Sequence, residues 1–360
     1  MVVVFLYGFL VGINGLEAGI EEFGSGFSER LLRAVDNPVA GLCIGILATA
    51  LVQSSSVSTS TIVGLVGAGA LTIPAAAPMI MGTNIGTTIT NTIVSLGHVR
   101  RGMEFRRAFA GATVHDFFNV LTVMVALPLE LAFGVLSRTA GLITSLLRGG
   151  EGISGVTAES PINLVVGWPV VRLEQFLADT SSFIAGVIFV GVGVVLIFLA
   201  LIMITKTMRI LMAGGIERAM NRMLGRGVGL GGIMVGLVVT ILVQSSSITT
   251  AILIPMLAAG VLTLQNAYPV TLGTNVGTTL TAIVASLALT SPAALTIALI
   301  HTLFNVFGIL LFYPIPIMRS IPIRLATTMA RIAHERARYA LAYVVVVFIL
   351  LPLLGVLVLA

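Results

Sequence analysis

Gln53, Ser54, Ser55 and Ser56 form a polar block that recurs as Gln244, Ser245, Ser246 and Ser247, 191 positions later. Serine runs favour turns and helix starts, because the hydroxyl competes for nearby backbone amides. A half helix that begins at such a turn aims free N–H groups and a positive dipole end into the protein. Together with serine hydroxyls these can cradle an oxyanion without any Arg or Lys. Two such turns meeting tip to tip would make two nests. A single serine in a membrane commonly serves as packing glue, but packing does not explain two identical tetrads at matched spacing.

A second pair of blocks follows at the same spacing: Gly82-Thr83-Asn84-Ile85-Gly86-Thr87-Thr88 and Gly273-Thr274-Asn275-Val276-Gly277-Thr278-Thr279. Paired glycines weaken a helix, and Asn, Thr and freed carbonyls supply hard neutral oxygens. Such oxygens suit Na⁺ and reject soft metals. Close helix packing through small residues is the plainer alternative. A third pair, His115 with Asn119 and His301 with Asn305, sits at i, i+4 on one helix face. Asp116 is the only acid expected near mid-membrane, where an acid is costly and calls for a cation partner. A structural pairing with His115 is its competitor. The two histidines read as hydrogen-bonded core residues, since no carboxylate or thiol set accompanies them. No Gly-x-Ser-x-Gly elbow singles out a serine nucleophile, so no enzyme is expected.

The elements that must hold these residues are membrane helices. The chain has 360 residues, 57% hydrophobic and 9% charged, more apolar surface than a soluble domain can hide. The apolar runs approach the ~20 residues of a helical span and do not alternate like barrel strands. Spans are expected near 2–20, 72–97, 107–135, 183–205, 265–289, 293–317 and 340–359. The run from Met1 continues as a full helix and lacks the basic start of a cleavable leader. The lone Cys43 allows no intrachain disulfide. Segments 38–70 and 228–261 are too long for one span, carry the serine blocks near their middles, and read as re-entrant hairpins.

Each half then holds one span, one hairpin and two spans. That count is odd, so the second half enters from the opposite face and the repeats are inverted. The expected fold is an all-α integral membrane protein of two inverted repeats, each with a re-entrant hairpin and a discontinuous helix. Repeat 1 is 1–136, 137–182 is an outer connecting loop, and repeat 2 is 183–317. An Arg-rich amphipathic linker and an extra terminal helix fill 318–360. Arg100, Arg101, Arg106, Arg107, Lys206, Arg209, Arg218, Arg222, Arg226, Arg319, Arg324, Arg331, Arg336 and Arg338 share one face, which is 14 of 19 basic residues. Arg30, Arg33, Arg138, Arg148 and Arg172 share the other. The richer face is expected to be cytoplasmic, with the amino terminus inside and the carboxyl terminus outside.

These motifs resemble the type II sodium–phosphate cotransporter family. The resemblance rests on Gln53–Ser56 and Gln244–Ser247, on the stretch from Met81 to Val94, and on the run from Phe105 to Asn119, and it spans about 1–317. The loop 137–182 has no cysteine and no Asn-x-Ser/Thr sequon, so the chain resembles a compact prokaryotic member. The resemblance implies alternating-access uptake of inorganic phosphate with Na⁺ across the cell membrane. It implies no other cofactor and no nucleic-acid partner, in a lipid bilayer, as monomer or homodimer. Family members with Ala, Ala and Asp at the positions of Ala110, Ala112 and Asp116 are electrogenic, which implies three Na⁺ per divalent phosphate. Phosphate is expected at Gln53, Ser54, Ser55, Ser56, Thr83, Asn84, Ser245, Ser246, Ser247, Thr274 and Asn275. Sodium is expected at Asp116, Asn119, Thr87, Thr88, Gln244, Ser245, Thr278, Thr279 and Asn305. The alternatives are another oxyanion, proton coupling at Asp116, a phosphate exporter, a channel, or a phosphate-sensing membrane protein.

Overall fold

The structure is a computed structural model that describes residues 1–24, 26, 35–147, 161–211 and 229–360. Every regular element among them is helical. Of the residues used to set orientation, Arg30, Arg33, Arg148, Arg218, Arg222 and Arg226 lie outside the described residues. Six described helices are long and apolar enough to cross a membrane: Val2–Phe23, Met103–Phe133, Ser182–Thr207, Leu264–Leu287, Pro292–Phe312 and Ala337–Leu359.

In chain order the first half contains α1 (Val2–Phe23), α2 (Pro38–Val52), α3 (Ser55–Gly67), α4 (Ile73–Thr87), α5 (Ile89–Leu96) and α6 (Met103–Phe133). Then come α7 (Val135–Leu147) and α8 (Pro161–Leu177). The second half contains α9 (Ser182–Leu211), α10 (Gly229–Val243), α11 (Ser246–Ala258), α12 (Leu264–Leu287) and α13 (Pro292–Phe312). Last are α14 (Pro316–Glu335), α15 (Ala337–Val345), a π-helical turn at Val346–Leu350, and α16 (Leu351–Leu359).

Local chemistry sets the breaks, and it does so twice. Ser54 caps α3 by accepting from the Val57 amide at 3.4 Å, and Ser245 caps α11 by accepting from the Ile248 amide at 3.3 Å. Gly69 (φ 72°) and Gly260 (φ 75°) turn the chain after α3 and α11. Thr72 and Thr263 then cap α4 and α12. The packing repeats as well. A Cβ on Gly45 would run into the Met79 carbonyl, and one on Gly236 into the Val270 carbonyl. Gly82 meets the Leu42 carbonyl, and Gly273 the Ile233 carbonyl, in the same way. Thus α2 lies on α4, and α10 on α12, with backbones in contact. Small residues permit that approach where lipid supplies no hydrophobic drive.

The second arms cross over: α3 packs on α12, and α11 packs on α5 and α6. α1 lies along α9, with Gly12 against Gly193. The shared core runs through Phe9, Ile13, Ile80, Met81, Ile197 and Phe304.

Two expectations are corrected. The stretch 137–182 is not a plain loop, because α7 and α8 occupy most of its described residues. Glu130 starts α7 by accepting from the Leu136 amide at 2.7 Å and the Ser137 amide at 3.2 Å. The span 72–97 divides at Thr88 into α4 and α5, as a discontinuous helix does. Its counterpart α12, expected to be discontinuous, runs unbroken from Leu264 to Leu287. At the matched offset, Asn91 of the first repeat becomes Ala282 in the second. Alanine is the stronger helix former, and the Asn91 side chain instead meets Thr250 of α11.

Candidate functional site

Gln53 and Gln244 end α2 and α10 in left-handed backbone, φ 58° and 56°. Each amide donates to the carbonyl four residues back, Thr49 at 2.8 Å and Thr240 at 2.7 Å. Each side chain folds over its own helix end. Gln53 Nε2 donates to Ala50 O at 2.9 Å, and Gln244 Nε2 to Ile241 O at 2.6 Å. Each Oε1 accepts from a threonine of the adjacent core helix, Thr90 at 3.2 Å and Thr281 at 3.3 Å. The chain then re-enters a helix at the next serine.

Both tips line one cavity of about 540 Å³. Gln53, Ser54, Ser55 and Ser56 form part of its wall, and Gln244, Ser245, Ser246 and Ser247 form another. Phe198, Leu201, Thr205 and Lys206 of α9 close the rest. Ser55, Ser56 and Ser246 are buried. The first amides of α3 and α11 precede any in-helix hydrogen bond, so two positive helix ends and up to six serine hydroxyls serve one space. A tetrahedral oxyanion is the ligand such donors fit. Among the described residues no carboxylate lines the cavity, and Lys206 is its one cationic side chain.

Thr83, Asn84, Thr274 and Asn275, expected with the serines, do not line this cavity. The Thr83 and Thr274 hydroxyls donate to Ile80 O (2.8 Å) and Thr271 O (2.7 Å) of their own helices. The asparagines belong to a second cluster at the interface of the two repeats. Asn275 Nδ2 donates to Asn119 Oδ1 at 2.8 Å, and Asn305 Nδ2 to Asn84 Oδ1 at 3.2 Å. Asn119 Nδ2 donates to Asn84 O at 2.6 Å. A His115 Nε2–Asn275 Oδ1 hydrogen bond completes the cluster. Asn305 Oδ1 is buried without a hydrogen-bond partner. A free amide oxygen in a cluster of neutral polar groups suits a hard cation.

Asp116 lies elsewhere on α6, fully buried. Its Oδ2 accepts from Tyr343 OH at 2.9 Å and from Thr92 Oγ1 at 3.4 Å. Its Oδ1 is buried and accepts nothing. Thr88 stands beside the carboxylate. The Thr88 hydroxyl also donates to Ile85 O at 2.7 Å. Thr87, Thr278 and Thr279 also donate along their own helices, to Thr83 O, Thr274 O and Val276 O at 2.7, 3.0 and 2.7 Å. The sodium candidates therefore do not converge on one point. They divide among the Asp116 pocket, the asparagine cluster and the Gln244-Ser245 tip. No group of three or more His, Cys, Asp or Glu able to hold a metal occurs among the described residues.

Sequence reasoning missed Tyr343, placed on a helix outside the repeats, and Asn91, whose Oδ1 accepts from Thr250 of α11 at 2.6 Å. Both contacts join segments far apart in the chain, and spacing carries no signal of them.

A family model described as Na⁺/Pi-cotransporter matches residues 9–145 and 196–313. Sodium-dependent phosphate transport protein 2A of Rattus norvegicus is 34% identical, over 97% of this chain and 65% of that protein. The 2A protein of Oryctolagus cuniculus is 36% identical, over 98% of this chain and 66% of that protein. Sodium-dependent phosphate transport protein 2B of Homo sapiens is 35% identical, over 97% of this chain and 63% of that protein. The chain thus spans about two thirds of the length of these relatives. No solved structure matches the chain. With the family pattern running through both motif-bearing halves, the chain belongs to the Na⁺/Pi-cotransporter family.

Proposed function

We propose that the chain is a secondary active transporter that takes up inorganic phosphate together with Na⁺. The observation that carries this reading is the cavity shared by the two Gln-Ser-Ser-Ser tips. Its donors are neutral hydroxyls and helix-end amides, which hold a dianion without the lasting grip of paired arginines. The named substrates of the relatives agree with that chemistry.

In this reading the halves are inverted repeats, α2–α3 and α10–α11 are re-entrant hairpins, and the amino terminus is cytoplasmic. The matched caps, turns and glycine contacts support the repeat relation. Sodium binds first, at the Asp116 pocket, the asparagine cluster and the Gln244-Ser245 tip. Its charge makes a dianion tolerable at the serine tips, so neither ion crosses alone. Exposure of the cavity alternates between the two faces as one hairpin or the other moves aside. The Ala110, Ala112 and Asp116 set, buried together on α6, is the basis for assigning three Na⁺ per divalent phosphate and one net charge per cycle.

The test is uptake of ³²P-phosphate into proteoliposomes under an inward Na⁺ gradient, with the potential set by K⁺ and valinomycin. Uptake that needs Na⁺ and rises with an inside-negative potential is expected. Uptake driven by a proton gradient without Na⁺ would reassign the coupling ion. Phosphate binding without flux would make the protein a sensor, and non-saturable flux would make it a channel.

A further inference from the structure

Tyr343 belongs to neither repeat and lies beyond residues 9–145 and 196–313, where the family pattern is recognised. Its hydroxyl nevertheless donates to Oδ2 of Asp116 at 2.9 Å, across 227 positions of chain. The ring is held on three sides by Phe109, Phe117 and Phe348, with centroids at 6.1, 6.4 and 6.2 Å. The helix changes to π-helical pairing at Val346, three residues after Tyr343, and continues as α16. Single π turns inside helices commonly adjust a functional side chain. Beyond the turn, α16 packs on α2, where Gly355 sits against Cys43. Before it, α14 lies along α6. The C-terminal segment thus grips the first hairpin, the core helix α6 and its buried acid.

The carboxylate is held unequally. Oδ2 carries both hydrogen bonds, from Tyr343 and Thr92, whereas Oδ1 is buried and carries none. Thr88, where α4 gives way to α5, is adjacent, with its hydroxyl between Ile85 O at 2.7 Å and the carboxylate. A carboxylate fixed through one oxygen presents the other in a set direction. Oδ1, a carboxylate oxygen that no hydrogen bond occupies, is the kind of donor a hard cation requires.

We propose that Tyr343 is a positioning residue for the Asp116 cation site, supplied by the C-terminal helix, and that this contact sets the protein's sodium affinity. The proposal rests on the reading of Asp116 as a sodium ligand. Loss of the hydroxyl leaves the ring packing intact but lets the carboxylate rotate, so Oδ1 is no longer held in one direction. Sodium affinity falls, while the serine tips, which Tyr343 does not touch, keep their grip on phosphate.

The experiment compares wild type, Tyr343→Phe, Asp116→Asn and the double variant in proteoliposomes. It measures half-saturation by Na⁺, and the phosphate KM at saturating Na⁺. For Tyr343→Phe the expected result is a rise of about tenfold in the Na⁺ half-saturation, the order of one hydrogen bond to a charged group, with the phosphate KM unchanged. The double variant should match Asp116→Asn alone. A second measurement needs no transport: the rise in unfolding temperature on adding Na⁺ to detergent-solubilised protein should be smaller in Tyr343→Phe than in wild type. If Asp116→Asn shifts the sodium response and Tyr343→Phe does not, the positioning role falls and the sodium role of Asp116 stands. If neither shifts it, the reading of Asp116 itself falls. Equal losses for Na⁺ and phosphate in Tyr343→Phe would overturn the proposal in favour of a general packing role.

Discussion

Gln53 and Gln244, 191 positions apart, are the two non-glycine residues among the described ones that adopt positive φ, at 58° and 56°. Left-handed backbone costs an L-residue roughly 1–2 kcal/mol, and here the same cost appears at the same place in both halves. What offsets it is the side chain, which caps its own helix end through Nε2 and receives a threonine hydroxyl through Oε1. The strain buys a reversal tight enough for the very next residue, Ser54 or Ser245, to cap the following helix at the cavity wall.

That relationship yields an unusual ranking. Gln53→Ala loses the side-chain hydrogen bonds and keeps the backbone strain. Gln53→Gly loses the same bonds and removes the strain. The glycine variant should therefore be the more stable of the two, by about 1 kcal/mol, the reverse of the order that holds inside a helix. Thermal unfolding of the two purified variants in one detergent checks this, and an alanine variant more stable than the glycine one would contradict the assignment of strain. Gln244 should give the same order.

The serines carry a second prediction. Ser55 and Ser246 are buried at the wall of one cavity but belong to different repeats. If one phosphate touches both tips, Ser55→Ala and Ser246→Ala should each raise the phosphate KM by about tenfold, as loss of a hydrogen bond to a charged ligand does. The double variant should depart from the product of the two effects, because the sites share a ligand. Purely multiplicative effects, or unchanged KM in both variants, would mean that the tips do not meet through phosphate.

Lys206 is exposed and is the one cation among the described residues that line the serine cavity. A charge at the rim acts on approach more than on grip. Lys206→Gln should raise the phosphate KM by about two- to fivefold, leave the maximal rate nearly unchanged, and weaken the dependence of KM on ionic strength. The measurement is uptake at fixed Na⁺ with choline chloride varied. Lys206→Arg should behave as wild type, and a fall in maximal rate without a change in KM would place Lys206 in conformational switching instead.

Much of this site is legible in the sequence because duplication writes it twice. The Gln-Ser-Ser-Ser blocks mark helix breaks, since α2 ends at Val52 and α3 begins at Ser55, as α10 ends at Val243 and α11 begins at Ser246, whereas the second Gly-Thr-Asn block marks none, because α12 runs through it. The offset also picks out glycines whose missing side chains let α2 meet α4 and α10 meet α12. Repetition shows which residues are equivalent, but not what they face. Asn84 and Asn275 read as phosphate ligands beside the serines, whereas crossing of the two repeats turns them toward Asn119 and Asn305. Lys206 reads as one of many positive charges on a cytoplasmic face, and only the position of α9 brings it to the cavity. Helix faces are assigned by tertiary packing, and residues unique to one repeat leave no second copy to compare.

Asp116 is such an unpaired residue: the corresponding helix of the second repeat has Thr302 after its histidine. Asp116→Gly should leave phosphate uptake measurable but abolish its net charge movement, since two Na⁺ with one divalent phosphate carry none. The substitution also has a structural cost. Glycine within a helix is about 1 kcal/mol less favourable than alanine, and the Tyr343 hydroxyl loses its buried acceptor at about 1–3 kcal/mol. Asp116→Ala separates these effects, because it removes the carboxylate without loosening α6. Both variants should unfold at lower temperature than wild type, glycine lowest, and both should transport without current. Simultaneous recording of ³²P uptake and charge decides the matter: an unchanged charge per phosphate in either variant would remove Asp116 from the coupling site, whatever the stability loss.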